Sequence, residues 1–91
     1  MAFDWDDANI QHIARHRVTP EEAEQVFENS PMLVSAHEHS GEDRLLCFGR
    51  TNRGRFLTVV YTERNDSIRV VTAYRMTRAQ QRMYLTGDAD A

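Results

Sequence analysis

The chain contains no lysine: all eleven of its basic side chains are arginines. An ammonium can only act as a point charge, whereas a guanidinium offers a planar fork of donors that grips phosphate and lies flat on a base. A single cysteine, Cys47, excludes an internal disulfide and a thiolate metal cluster. Within LLCFG it reads as a buried strand residue rather than a nucleophile. No apolar run is longer than a few residues, which excludes a membrane-spanning helix. The opening MAFDWDD has neither the basic start nor the apolar stretch of a signal peptide, so a cytoplasmic location is expected. Neither a repeat nor an internal linker is present. Ninety-one residues, 41% hydrophobic and 27% charged, therefore read as one ordered domain over 1–91, with residues 86–91 expected to fray.

What the chain does have is a polarised charge distribution. Nine of the eleven arginines lie from Arg44 to Arg82, opposed only by Glu63 and Asp66, a net +7. Residues 1–43 carry ten acids against Arg15 and Arg17, a net −8, and Asp88 and Asp90 complete the overall −3. The basic half is a candidate nucleic-acid surface, and the acidic half excludes a protein that coats nucleic acid on every side.

Periodicity divides the chain in the same way. Asp6 or Asp7 caps a first helix that reads to about His16, with Ile10, Ile13 and Ala14 as its apolar stripe. Thr19, Pro20 and Glu22 form a capping box with proline at the first helical position, and Ala23, Val26 and Phe27 make the buried face. Asn29-Ser30-Pro31 ends that helix. Met32 to about His37 reads as a short strand and His37–Asp43 as a loop. Three further strands are expected at Arg44–Arg50, Arg55–Glu63 and Ser67–Tyr74, with turns between them. Alternation puts Leu57, Val59 and Tyr61 on one face, and in the last strand sets Ile68, Val70 and Thr72 against Arg69, Val71 and Ala73. Thr77 and Gln80 cap a final short helix bearing Met83 and Tyr84. The expected fold is α+β: two N-terminal helices, a mostly antiparallel sheet of three to four strands, and a short C-terminal helix.

Three segments, FDWDDANIQHIARHRVTPEEAEQVFENSP, GRTNRGRFLTVVYTER and IRVVTAYRMTRAQQRMY, resemble in this order the BrnT family of ribonuclease toxins, over about residues 3–84. The resemblance implies a RelE-like fold and the toxin half of a type II toxin-antitoxin pair that cleaves RNA without a cofactor. It further implies an antitoxin of the ribbon-helix-helix type in a heterotetramer or larger complex, with operator DNA met only through the antitoxin. Where the family commonly has Lys-His-Gly after the first helix, this chain has Arg15-His16-Arg17, so the joint lacks the residue that takes left-handed angles easily.

The resemblance points to His16 as a proton-moving group and to Arg50, Arg64 and Arg75 as the core of the site. Glu63 is a second candidate base for activating a ribose 2′-hydroxyl, set against the reading that it balances Arg64. RNA contacts are expected from Arg53, Arg55, Arg69, Arg78 and Arg82, and stacking from Tyr61 and Tyr84. Arg69 is expected on the strand face of Arg75. Arg69, Arg78, Arg82 and Tyr84 are also where an acidic antitoxin surface is expected. For Tyr61 core packing is the competing reading, and for the arginines it is a solvated rim paired with the acidic helices. His12, His16, His37 and His39 suggest zinc only weakly, since there is no HExxH and no cysteine partner, and no metal is expected. The alternative to an enzyme is a non-catalytic nucleic-acid or partner-binding protein of the same fold.

Overall fold

The computed structural model describes residues 1–87. Its elements run β1 (Ala2–Phe3), α1 (Asp7–Ala14), α2 (Pro20–Glu28), β2 (Met32–His39), β3 (Glu42–Arg50), β4 (Phe56–Arg64), β5 (Ser67–Arg75) and α3 (Arg78–Thr86). The sheet order is β1-β5-β4-β3-β2, a four-stranded antiparallel meander with β1 added in parallel to β5. The α+β class agrees with the sequence reading, but the sheet has five strands and the chain opens on a strand. Two residues are too few for alternation to reveal. They are held by pairing with Ser67 and Ile68 and by Asp4 N–H donating to the Ile68 carbonyl at 2.8 Å.

All three helices start where the capping residues place them. Asp6, Thr19 and Thr77 each accept from the backbone three residues on, and Asn9, Glu22 and Gln80 return the bond. Each such cap is worth about 1 kcal/mol. The first helix stops at Ala14, two residues earlier than expected, and Arg17 makes the joint at φ 58°. The missing glycine thus does not keep the chain out of left-handed space; a non-glycine residue adopts it, at a cost of about 1–2 kcal/mol. The last helix ends on Gly87 at φ 72°, so Thr86 is helical rather than frayed, while residues 88–91 lie outside the described residues.

The segment expected as a loop, His37–Asp43, is mostly strand. β2 and β3 pair down to His39 and Glu42, leaving a two-residue turn, Ser40-Gly41, with both φ values positive. Asn65-Asp66 makes the same kind of turn between β4 and β5, as such hairpins require. The β2–β3 arm was illegible because its side chains are polar on both faces.

One residue in β5 resets its alternation. Val60 pairs with Thr72, but Tyr61 pairs with Val70, leaving Val71 as a bulge. Ala73, not Thr72, therefore joins Val70 beneath the helices, with Leu57, Val59 and Cys47 from the neighbouring strands and Ile13, Val18, Ala23, Val26 and Phe27 from the helical side. Burial pushes the Cys47 thiol up to about 12, consistent with a packing residue. α3 lies on the opposite face, where Thr58 Oγ1 donates to Gln80 Oε1 at 2.8 Å.

Gly49 leaves no room for a side chain between α2 and the sheet. A Cβ there would stand 2.6 Å from Val26 Cγ1, and Val26 is wholly buried. Gly49→Ala should therefore cost about 1–3 kcal/mol in urea unfolding. A loss under about 0.5 kcal/mol would show that α2 can shift away freely.

Candidate nucleic-acid interface

The nine arginines of the basic half are divided between the two ends of the sheet. Arg50 pairs with Phe56 and Arg75 with Leu57, so both stand at the start of β4. Arg64 is eight residues further along β4, about 26 Å away at the rise of a strand. Arg50, Arg64 and Arg75 therefore do not converge. Glu63 pairs with Ile68 at the far end with Arg64, so it is also remote from Arg50 and Arg75. The bulge places Arg69 opposite Thr62 and Arg75 opposite Leu57, on opposite faces, which corrects the expected shared face.

Acidic partners divide the arginines a second time. Arg64 is held by both carboxylate oxygens of Glu42, at 2.5 and 2.9 Å. This pairing lowers the Glu42 pKa and raises that of Arg64. Arg69 meets Asp4 at 3.5 Å and Asp6 at 3.0 Å, and its hydrogen bond draws the Asp6 carboxyl below the usual range. Arg55 Nη1 donates to Glu22 Oε2 at 2.8 Å and to the Arg17 carbonyl at 2.9 Å. Of these three, only Arg55 is paired with a helical acid, as the rim reading has it; Arg64 is held from β3 and Arg69 from the segment before α1. Arg50, Arg53, Arg75, Arg78 and Arg82 are exposed and form no ion pair among the described residues.

Of these, Arg50 precedes the β3–β4 loop, Arg53 lies in it and Arg75 stands opposite Leu57 just after it, and the loop is fastened from both sides. Within it Arg55 N–H donates to Thr51 Oγ1 at 3.0 Å, and Gly54 N–H to the Thr51 carbonyl at 2.9 Å. From α2, Gln25 accepts from Asn52 N–H at 3.0 Å, and the Asn29 side chain donates to the Arg50 carbonyl at 2.9 Å. Two cavities meet at Gly54. One, of about 430 Å³, is walled by Arg55, Phe56, Arg75, Met76 and Gln81; the other, of about 760 Å³, by Asn29, Arg50, Thr51 and Asn52 among others. Tyr84 approaches Phe56 at 5.7 Å between ring centroids and adds aromatic surface beside the first cavity.

His16 is exposed just past the end of α1, with its ring 6.1 Å from Tyr74, next in sequence to Arg75. Tyr74 was not singled out by sequence reading, and neither was Gln80 beyond its capping role. Gln80 accepts from Thr77 N–H and Thr58 Oγ1 and donates to the Tyr74 hydroxyl at 3.1 Å, fixing that ring against the sheet. A dipeptide pattern gives no sign of such a link. Tyr61, expected as a stacking residue, instead meets Phe27 edge to face at 4.9 Å beside the core, and burial raises its pKa. The histidines separate into His12 and His16 on one side and His37 and His39 on β2, and no group of three metal-ligating side chains occurs among the described residues.

At one end of its sheet this small α+β protein sets guanidiniums without acidic partners, among the described residues, beside aromatic rings. A family model described as the ribonuclease toxin BrnT of a type II toxin-antitoxin system matches residues 5–80, and the chain belongs to that family. Membership implies an antitoxin partner. None of the curated proteins searched matches it. No helix is long and apolar enough to cross a membrane.

The Arg55–Glu22 pair supports the joint that carries His16, and it is sensitive to acid. Burial raises the Glu22 pKa, but the bonds from Arg55 and Thr19 N–H outweigh it and the carboxyl ends below its ordinary 4.5. Its stabilisation is complete above that value and disappears as pH falls through the lower folded pKa. Glu22→Gln should be less stable at pH 7 and lose less on going to pH 3 in urea titrations. Equal losses for both proteins would mean the pair contributes nothing.

Proposed function

We propose that the protein is a metal-independent endoribonuclease whose reacting phosphodiester sits at the β3–β4 loop end of the sheet. The observation that carries this reading is that Arg75 and Arg50, on opposite faces of the sheet and without acidic partners among the described residues, line two cavities that meet at Gly54, with Arg53 in the loop between them and His16 beside Tyr74, the neighbour of Arg75. Guanidiniums on the scissile phosphate supply the positive charge that the phosphorane-like transition state needs. The ribose 2′-oxygen attacks the adjacent phosphorus as its proton passes to His16. The bond to the 5′-oxygen breaks, and that oxygen takes a proton from water as it leaves. The products are a 2′,3′-cyclic phosphate and a free 5′-hydroxyl. Arg78 and Arg82 on α3 extend the phosphate contacts, and Phe56 with Tyr84 offers a stacking surface.

The helical layer over a mainly antiparallel meander supports the RelE-like fold expected from the family. In this reading the antitoxin is a ribbon-helix-helix dimer that covers the unpaired arginines with acidic groups. Two toxins then bind one antitoxin dimer, DNA is met only through that dimer, and the free toxin acts in the cytoplasm, where its RNA is.

Partner-free protein should cleave single-stranded RNA in EDTA and leave cyclic phosphate ends. Replacing Arg50 and Arg75 together by glutamine should lower kcat/KM by roughly 10²–10³. His16→Asn should lower kcat by roughly 10²–10⁴ and remove one limb of its pH profile. Cleavage that depends on an added metal, or that survives the double arginine replacement, would overturn the mechanism. If Glu63→Gln costs as much as His16→Asn, the reacting group lies at the other end of the sheet. Salt-sensitive RNA binding without products would mark a non-catalytic binding protein.

A further inference from the structure

The opposite end of the sheet holds a second arginine-lined basin, balanced in charge by Glu42, Asp4 and Asp6, that the reaction above does not use. Register sets its side chains in rows across the α3 face. His37 pairs with Arg44 and Thr62 with Arg69, and since Leu45 pairs with Tyr61, Arg44 falls opposite Thr62 one step on. The row thus reads His37, Arg44, Thr62, Arg69 from β2 to β5. The next row outward contains Glu42 and Arg64, joined by their two-pronged ion pair. Asn9 and His12 of α1 close the side, and with Glu42, Arg44, Arg64 and Arg69 they line a cavity of about 260 Å³.

The three guanidiniums in this basin are not equivalent. Asp4 and Asp6 hold Arg69, and Glu42 holds Arg64, yet Arg64 Nη1 and Arg69 Nε remain uncommitted. Among the described residues Arg44 has no ion pair, and its Nε is buried without an acceptor. Beside it, Thr62 is 1% exposed and its Oγ1 also has no partner. Two neighbouring buried polar atoms without partners are uncommon in a folded chain, because each forfeits its bond to water. They are compensated if an oxygen-rich anion enters and Arg44 turns toward it. Donors converge here from three strands, an arrangement that suits a tetrahedral phosphate better than a planar carboxylate.

We propose that this basin is a second phosphate subsite that binds the single-stranded RNA at a phosphodiester away from the one being cut. It rests on the RNA reading given above. Six residues of β3 separate Arg44 from Arg50, about 20 Å, so one strand reaches both places only if it is several nucleotides long. The acidic partners of Arg64 and Arg69 hold those two side chains in place, and Arg44 supplies the guanidinium that no carboxylate holds among the described residues.

The test is equilibrium binding of a ten-nucleotide single strand made non-cleavable by 2′-O-methylation, measured over a salt series, so that it does not depend on catalysis. Arg44→Gln should weaken binding about tenfold at low salt and reduce the log–log salt slope by about 0.7, the loss of one single-strand phosphate contact. Arg44→Lys should keep the slope while recovering only part of the affinity, and thermal melts of both variants verify the fold. A dinucleotide, too short to span the two places, should bind wild type and Arg44→Gln alike. Unchanged affinity and slope for the long strand would overturn the proposal. So would equal weakening of the dinucleotide, which would make this basin the place of the reacting phosphate. If RNA binding stays constant while affinity for the antitoxin falls, the basin receives a protein carboxylate instead, and the subsite is refuted.

Discussion

The outer edge of β5 is the constraint on which the remaining structure depends. β1 covers only its first two residues, so the strand's remaining backbone groups need another partner. Asn9 supplies one of them. It is 4% exposed; its Oδ1 accepts from Asp6 N–H, and its Nδ2 donates to the carbonyls of Asp4 at 2.9 Å and Val70 at 3.1 Å. One side chain thus caps α1 and ties it to the strand immediately before the bulged Val71. A buried amide used this fully fixes both the axial position and the rotation of the helix. His12 then falls over the basin at one end and His16 emerges at the other.

The same economy governs the arginines. A guanidinium can stabilise a fold by pairing with a carboxylate, or it can remain available to an outside anion; a group held on both sides does little of the second. Arg55 is committed to the Arg17 carbonyl and Glu22, and so steadies a joint whose left-handed residue is strained. Arg64 and Arg69 are committed to acids from the N-terminal half. The net −8 of that half is therefore partly an internal counterion supply, and the arginines it does not reach mark where anions from outside can bind.

Local signals were legible, and tertiary ones were not. Thr19-Pro20-Glu22 and Thr77 with Gln80 fix helix starts through bonds spanning three residues, and these are visible in a linear string. Leu57, Val59 and Tyr61 show their common face for the same reason. β1 escaped notice because its only support is β5, more than sixty residues away. The β2–β3 arm escaped because polar residues on both faces leave no alternation. For the candidate site, the sequence shows that the arginines concentrate in one half of the chain but not how they group. Placing Arg64 with Arg50 requires ignoring the length of β4, and recognising Arg69 as neutralised requires knowing that Asp4 and Asp6 fold against it. Tyr74 and Arg44 carried no local mark at all.

The bulge at Val71 makes the reading frame of β5 a determinant of the charge map. A strand has only two sides, and a single extra residue exchanges them for everything that follows. Without it, Arg75 would turn to the side that Arg69 occupies, and Tyr74 would turn in among the helices. A change of length at this one place would redistribute the protein's potential more than most exchanges of side chain. Relatives with the same arginines but one residue fewer here would present a different charged surface to any partner.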